Sequence, residues 1–596
     1  MSLAASSLLT DRPAQNWIIS RNWDIVFIIA APILAFFWAV GTVRLTSAEV
    51  VISIFMIFNV AHHFPTFIRI YGDRDLLKRF RWELILGPVV PFSLALAAVY
   101  YVIISSEQSS QNAENIASGS IFLFIVLLIW DPWHFLMQHY GFMRIYDRHN
   151  QAPRKIAARM DLALSWTWFI CVLVLISEWL PDLLFSLQHK HSLPLVFLFH
   201  EGTYFWLECC TIVASGAMGV VYVGYLVWCR NHGYYISKAK LWLLVITFGV
   251  MYLTYVPNAI MERISPGWNF ALGFATLGMV HVTQYLAIVW KYNRGLAIKK
   301  RARTKGFTWA FAKGGMVILA GYVVACLVYG VAVSFYGVTL PFETWNKISG
   351  GGGATLFSSS IGIWYGGVLA AVGFTSTFLH YYYDGFIWKF RHKENQQNLV
   401  LEGDTGTEAD SSRQADGHSW WKGRAGTRSP AQVLCRQFLY LGLPILVVVF
   451  TYIMKQERED PQKAQGFAFH LKETSGDKRW IKFAELACQG FDEELRLQRR
   501  MIQVRPRARH YMSIAELTNR LAVTKELLAS GTNVPGMVGE QEALLRESIG
   551  ALKAALKLPP VPYGFSAAEP EQRQMAEKML SQRQKQLAKL VAVPGS

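Results

Sequence analysis

A chain of 596 residues that is 53% hydrophobic and only 17% charged, with a mean hydropathy of +0.25, is too apolar for a soluble globule of that length. The net charge of +17 comes with no stacking platform or basic recognition helix, so no nucleic-acid partner is expected; membrane topology and headgroup attraction account for much of it. Seven cysteines without CxxC spacing indicate neither a disulfide framework nor a zinc ribbon.

The predicted fold is all-α: a polytopic transmembrane bundle followed by a C-terminal soluble helical tail. Apolar runs long enough to span occur near 24–43, 49–69, 84–104, 119–143, 161–181, 207–229, 240–261, 268–290, 311–337, 360–388 and 437–454, about eleven helices. Asp11, Arg12 and Arg21 precede a full-length first run with no evident small-residue cleavage site, which predicts that this run is retained as a helix.

The second run carries Asn59, His62 and His63 ahead of the helix-bending Pro65 and ends Phe67-Ile68-Arg69-Ile70-Tyr71. In the fourth, Asp131, His134 and Gln138 follow i, i+3, i+7 spacing and share a helix face, with His139 about 100° round from Gln138. That run ends Phe142-Met143-Arg144-Ile145-Tyr146. The eighth holds His281 and Gln284 before Trp290-Lys291-Tyr292, and the tenth holds His380 and Asp384, one turn apart, before Trp388-Lys389-Phe390-Arg391.

Each of these ends pairs an aromatic ring with a cation, as the headgroup region favours. All four are even-numbered runs, so they leave the membrane on one side. The loops on that side are rich in Lys and Arg (Arg74, Lys78, Arg79 and Arg81; Arg148, Arg154, Lys155 and Arg159; Arg294, Lys299 and Lys300), whereas 106–118 is not. The positive-inside rule makes that side cytoplasmic, in a bacterial-type inner membrane or its equivalent.

Six histidines therefore lie at one depth, about five to ten residues, or roughly 7–15 Å, inside the interface. An intramembrane ionisable group costs about 2.5–3.5 kcal/mol on insertion scales, so such residues usually face the bundle interior and have a role. Imidazoles with a few carboxylates are what iron, manganese, copper or zinc needs, and facing helices of a bundle can supply them. The expected metal ligands are His62, His63, His134, His139, His281 and His380. Asp131 and Asp384 are expected as ligands or their supports, and Gln138 and Gln284 as hydrogen-bond partners around the cofactor.

The structural reading of each residue stands beside this one. A single histidine near a helix end is more often hydrogen-bonded than ligating, which covers His149, His232 and His392; loop position covers His189, His191 and His200, and His418, His470 and His510 carry no stronger signal. The Asp131-Pro132 step can also mark a helix break. Recurrence at one depth on four helices is what favours a site.

The bundle is expected over residues 1–391. Residues 392–436 are polar and predicted to be a disordered cytoplasmic linker, 437–455 the last transmembrane helix, and 456–596 the tail, with helical periodicity near 481–503, 512–529, 540–557 and 569–591. Gly350 to Gly353 lacks a phosphate-loop fingerprint and reads as a flexible loop. Gly490-Phe491-Asp492-Glu493-Glu494-Leu495, Val504-Arg505-Pro506, Ala508, Tyr511 and Ala515-Glu516-Leu517 resemble the second helix of a tetratricopeptide repeat and the start of the next. Glu542 to Pro559 is similar to another repeat's end. That resemblance implies a protein-binding tail; an ordinary helical tail is the alternative.

The histidine array resembles the histidine-rich integral-membrane iron oxygenases, which include fatty-acid desaturases and hydroxylases and the Brp/Blh-type carotene-cleaving dioxygenases. The HxxxH and HxxHH boxes of desaturases are absent; adjacent His62-His63 and the HxxxxH spacing of His134 and His139 stand in their place. The Brp/Blh resemblance implies a mononuclear non-haem iron bound by about four histidines. The expected function is a membrane-embedded metalloenzyme that oxidises a lipid or isoprenoid reached from the bilayer, with an electron donor the sequence does not identify. Alternatives from other classes are a proton-coupled or metal-ion transporter, a haem-binding electron carrier with two axial histidines, and a membrane scaffold whose tail binds a protein partner.

Overall fold

The computed structural model describes residues 17–107, 130–175, 196, 203–299, 310–333 except 312, 360–387, 429–442, 461–474, 478–532 except 505, 537–558 and 569–591. Among them every regular element is helical. Five helices are long and apolar enough to cross a membrane: Ala48–Tyr71, Arg154–Leu175, Thr203–Asn231, Phe270–Ile298 and Met316–Val333. The pair Arg21–Ile29 and Ala31–Leu45, bent by 52° at its break, makes a sixth if it is one span. Further helices at Arg81–Glu107, 130–146, Lys238–Tyr255 and Ser360–Ile387 fall on other predicted runs. The Gly350–Gly353 loop, most of the 392–436 linker and most of the last predicted span lie outside the described residues. Helix Pro430–Gln437 starts inside the predicted linker, because Ser429 and Gln432 form a capping box and Pro430 occupies the first turn.

The chain divides into two units. The first comprises Met1–Phe169, Ser215–Tyr255 and Phe270–Val449. At its centre is the His281 helix, Phe270–Lys299, which packs against Ala31–Leu45, Ala48–Ala61, His63–Tyr71 and Lys238–Tyr255. Two thirds (67%) of its most apolar window is buried, against 17% for Met316–Val333, so the former is enclosed by helices and the latter presents its side chains outward. The His380 helix, Ser360–Ile387, packs on Arg81–Glu107 and on His63–Tyr71.

Two glycines set how closely the His62 segment is held. A Cβ on Gly278 would lie 2.0 Å from the Phe55 ring, and one on Gly330 would lie 2.4 Å from the Ile57 carbonyl oxygen, so helices approach Ala48–Ala61 closely from either side. Where that helix ends, Pro65 has no N–H for the Ala61 carbonyl, and the backbone breaks at His62 before resuming as His63–Tyr71.

Buried charge ties together the end of the His134 helix. Arg144 Nη1 meets Asp147 Oδ2 at 2.9 Å and Asp161 Oδ2 at 2.6 Å, while Lys240 Nζ meets Asp147 Oδ1 at 2.9 Å and Asp161 Oδ1 at 3.2 Å. Tyr222 donates to Asp161 Oδ1 at 2.7 Å. Nearby, Asp24 accepts from the Ile19 amide at 2.8 Å and the Tyr146 hydroxyl at 2.9 Å, which anchors residues 19–24 to the same helix end.

The second unit comprises Ile170–Ala214, Val256–Asn269 and Phe450–Ser596. Its C-terminal helices Pro461–Thr474, Arg479–Val504, Ala508–Thr532, Met537–Lys557 and Glu569–Val591 each pack on the next. The last four match the predicted periodicity; the first lies ahead of the predicted stretches, although Ala464, Phe467, Ala468 and Leu471 form an i, i+3, i+4, i+7 stripe along it. Phe491, Leu495, Leu521 and Leu552 build their core. His510 is buried there and bonds Gln498 Oε1 through Nδ1 at 2.9 Å.

Burial, reinforced by Arg509 and Arg507, pushes His510 from an ordinary value of 6.5 down to about 3. The unfolded chain therefore takes up the proton first: this contribution to stability is complete above pH 6.5 and is lost as pH falls toward 3. By pH 5 the expected loss is about 2 kcal/mol, at roughly 1.4 kcal/mol per unit. Hydrogen exchange of the C-terminal helices in the full chain should accelerate accordingly between pH 8 and pH 5 after correction for intrinsic rates, and His510→Gln should flatten that dependence.

Candidate metal centre

Four of the six predicted histidines converge, each from a different stretch of helix. His62 Nε2 lies 3.0 Å from His380 Nε2 and 3.1 Å from His281 Nε2, and His380 Nε2 lies 3.1 Å from His134 Nε2. All four rings are buried, His62 to 1% exposure and His380 to 0%. His62 stands between one helical segment and the next, and His281 and His380 both face its Nε2.

Hydrogen bonding between neutral imidazoles accounts for only part of this arrangement. Each Nε2 carries in the ring plane either one hydrogen or one lone pair, so it makes one well-aligned bond. The nitrogens of His62 and His380 each face two others. At most two of the three contacts can then be good hydrogen bonds. A shared cation would account for the remaining close contact: two nitrogens bound at about 2.1 Å and at right angles to each other are about 3.0 Å apart. The nearest carboxylate is Asp384, whose Oδ2 is 3.8 Å from both His134 Nε2 and His380 Nε2. Ligand atoms of His62, His281 and His380 lie within 4.8 Å of one another, as do those of His134, His380 and Asp384.

The other predicted residues separate into neighbours and outliers. The His63 ring stacks on His380 with centroids 5.0 Å apart, and its Nδ1 pairs with Ser376 Oγ at 3.2 Å, which in turn pairs with the Tyr329 hydroxyl at 2.7 Å. Asp131 accepts from the Tyr381 hydroxyl at 2.7 Å. Gln138 donates to the His281 carbonyl oxygen at 3.2 Å and to Gln284 Oε1 at 3.4 Å, and Gln284 donates to the Ile28 carbonyl at 2.9 Å. Gln138 thus braces the His281 helix through its backbone, and Gln284 ties that helix to the backbone at Ile28. His139 points elsewhere: its ring meets Phe248 edge-on at 5.5 Å, and among the described residues neither ring nitrogen has a hydrogen-bond partner.

Sequence reasoning missed Thr66, Tyr285 and Ser376. Thr66 Oγ1 is 2.9 Å from His380 Nδ1 and also touches the Tyr285 hydroxyl, which donates to Asp384 Oδ1 at 2.8 Å. A signal was present: Thr66 and Tyr285 stand four residues after His62 and His281, and Ser376 four before His380, so each shares a helix face with a central histidine. No family model, curated protein or solved structure matches this chain.

Proposed function

We propose that the chain is a membrane-embedded metalloenzyme holding one non-haem iron at this histidine group, with His62, His281 and His380 as its nucleus and His134 and Asp384 beside His380, and acting as an oxygenase on a lipid or isoprenoid reached from the bilayer. The supporting observation is the succession of three Nε2–Nε2 contacts of 3.0–3.1 Å linking His281, His62, His380 and His134, of which neutral imidazoles can turn at most two into aligned hydrogen bonds. Bound iron would supply oxygen activation. The donor set of imidazoles and one nearby carboxylate, with no thiolate among the ligand groups, suits that metal. Asp384 is the chain's candidate for an additional ligand or for holding a proton beside the centre, and Asp131 is held one layer away by Tyr381.

On the positive-inside rule, the centre occupies the cytoplasmic half of the bundle, below a rim of aromatic and basic residues. Trp133, adjacent in sequence to His134 and 39% exposed, marks a lipid-side approach for an apolar substrate. Elemental analysis of the purified full chain in detergent tests the reading. About one iron per chain is expected; absence of any stoichiometric transition metal defeats the metal centre, and stoichiometric zinc, which has no redox chemistry, defeats the oxidation.

A further inference from the structure

We propose that Thr66 and Tyr285 are positioning residues that set the tautomer of His380 through a directed hydrogen-bond chain ending on Asp384. The inference rests on the metal-centre reading and deepens it. His380 is one of the two inner members of the histidine group, with its Nε2 facing those of both His62 and His134. To serve as a ligand, that nitrogen must present its lone pair, so the single ring proton sits on Nδ1.

From this requirement the whole chain acquires one direction. His380 Nδ1–H donates to Thr66 Oγ1 at 2.9 Å. Thr66 has one hydroxyl hydrogen, and it goes to the Tyr285 oxygen, the other partner in contact. Tyr285 likewise has one, and it goes to Asp384 Oδ1 at 2.8 Å. Each of the three hydrogens is then used once, among side chains drawn from three helices. Run in the opposite direction, the chain needs the carboxyl group to donate and leaves a hydrogen on His380 Nε2, aimed at His62 and His134. Direction of the chain and availability of the ligand lone pair are therefore the same property.

Thr66 is 0% exposed and Tyr285 2%, so bulk water does not replace a lost member. Outer partners that orient a ligand imidazole are typically worth about 10–100-fold in metal affinity. The Asp384 carboxylate also connects the chain's end back to its beginning, since its other oxygen is 3.8 Å from His380 Nε2.

Cobalt(II) titrated into metal-stripped full-length protein, read by its ligand-field absorption, provides the test. Thr66→Val keeps the shape and removes the hydroxyl; Tyr285→Phe keeps the ring and removes the hydroxyl. Both should weaken cobalt binding by about 10–100-fold with an altered spectrum, and Thr66→Ser should restore affinity and spectrum. If wild type binds no cobalt, the metal centre fails and the chain with it. If wild type binds and Thr66→Val and Tyr285→Phe bind equally well, or Thr66→Ser stays as weak as Thr66→Val, the chain alone is overturned.

Discussion

A His62→Ala variant is expected to lose its metal on purification, with affinity down by on the order of 100-fold or more, because removing a direct ligand exceeds the roughly 10–100-fold cost of removing an outer partner. His62 is one of the two inner members of the group, its Nε2 facing both His281 and His380. Without it, His281 loses its 3.1 Å contact and the group divides. The fold should tolerate the change, since His62 already sits at a helix break and alanine adds no bulk. His139→Ala is the control: a buried histidine from the same predicted set, packed against Phe248 with no hydrogen-bond partner on its ring nitrogens. Its metal content should equal that of wild type. Metal-to-protein ratios measured after gel filtration decide the matter, and either a fully loaded His62→Ala or an emptied His139→Ala would refute the assignment of ligands.

The second large effect concerns the buried charges that hold the His134 helix. Lys240→Met should lower the stability of the first unit by about 3–5 kcal/mol, the usual cost of leaving a buried ion without its partner. Lys240 is 1% exposed and bridges Asp147 and Asp161 at 2.9 and 3.2 Å. Arg144 still reaches both carboxylates, but one cation then serves two buried anions. Adding Asp161→Asn to Lys240→Met removes the excess negative charge and should recover part of the loss. Unfolding in mixed detergent micelles measures both variants; a change below about 1 kcal/mol for Lys240→Met would show that water or rearrangement relieves the charge. Because Asp147 directly follows the helix of His134, the same variant should also bind metal less tightly.

Several features of this architecture can be traced to single residues. Pro65 announces the interruption of the helix at His62, and the i, i+4 spacing of His380 and Asp384 announces that both face the same interior. The i, i+3, i+7 grouping of Asp131, His134 and Gln138 likewise comes out on one side of its helix, yet its members part company: His134 enters the centre, Asp131 bonds Tyr381, and Gln138 bonds backbone. His139, about 100° round that helix, faces Phe248.

The amino-acid sequence alone determined that the chain is helical, with several segments long and apolar enough to cross a membrane, because run length, hydropathy and 1.5 Å rise per residue are properties of each segment by itself. Only the tertiary structure decided which of the imidazoles meet. In a span that is apolar almost all round, no polar face declares which side turns inward, so rotation about each axis is set by neighbours: by Gly278 and Gly330 admitting close helices, and by Lys240 and Arg144 pinning the end of another. Thr66 and Tyr285 stand far apart along the chain, and their hydroxyls become one chain of hydrogen bonds only after those rotations are made.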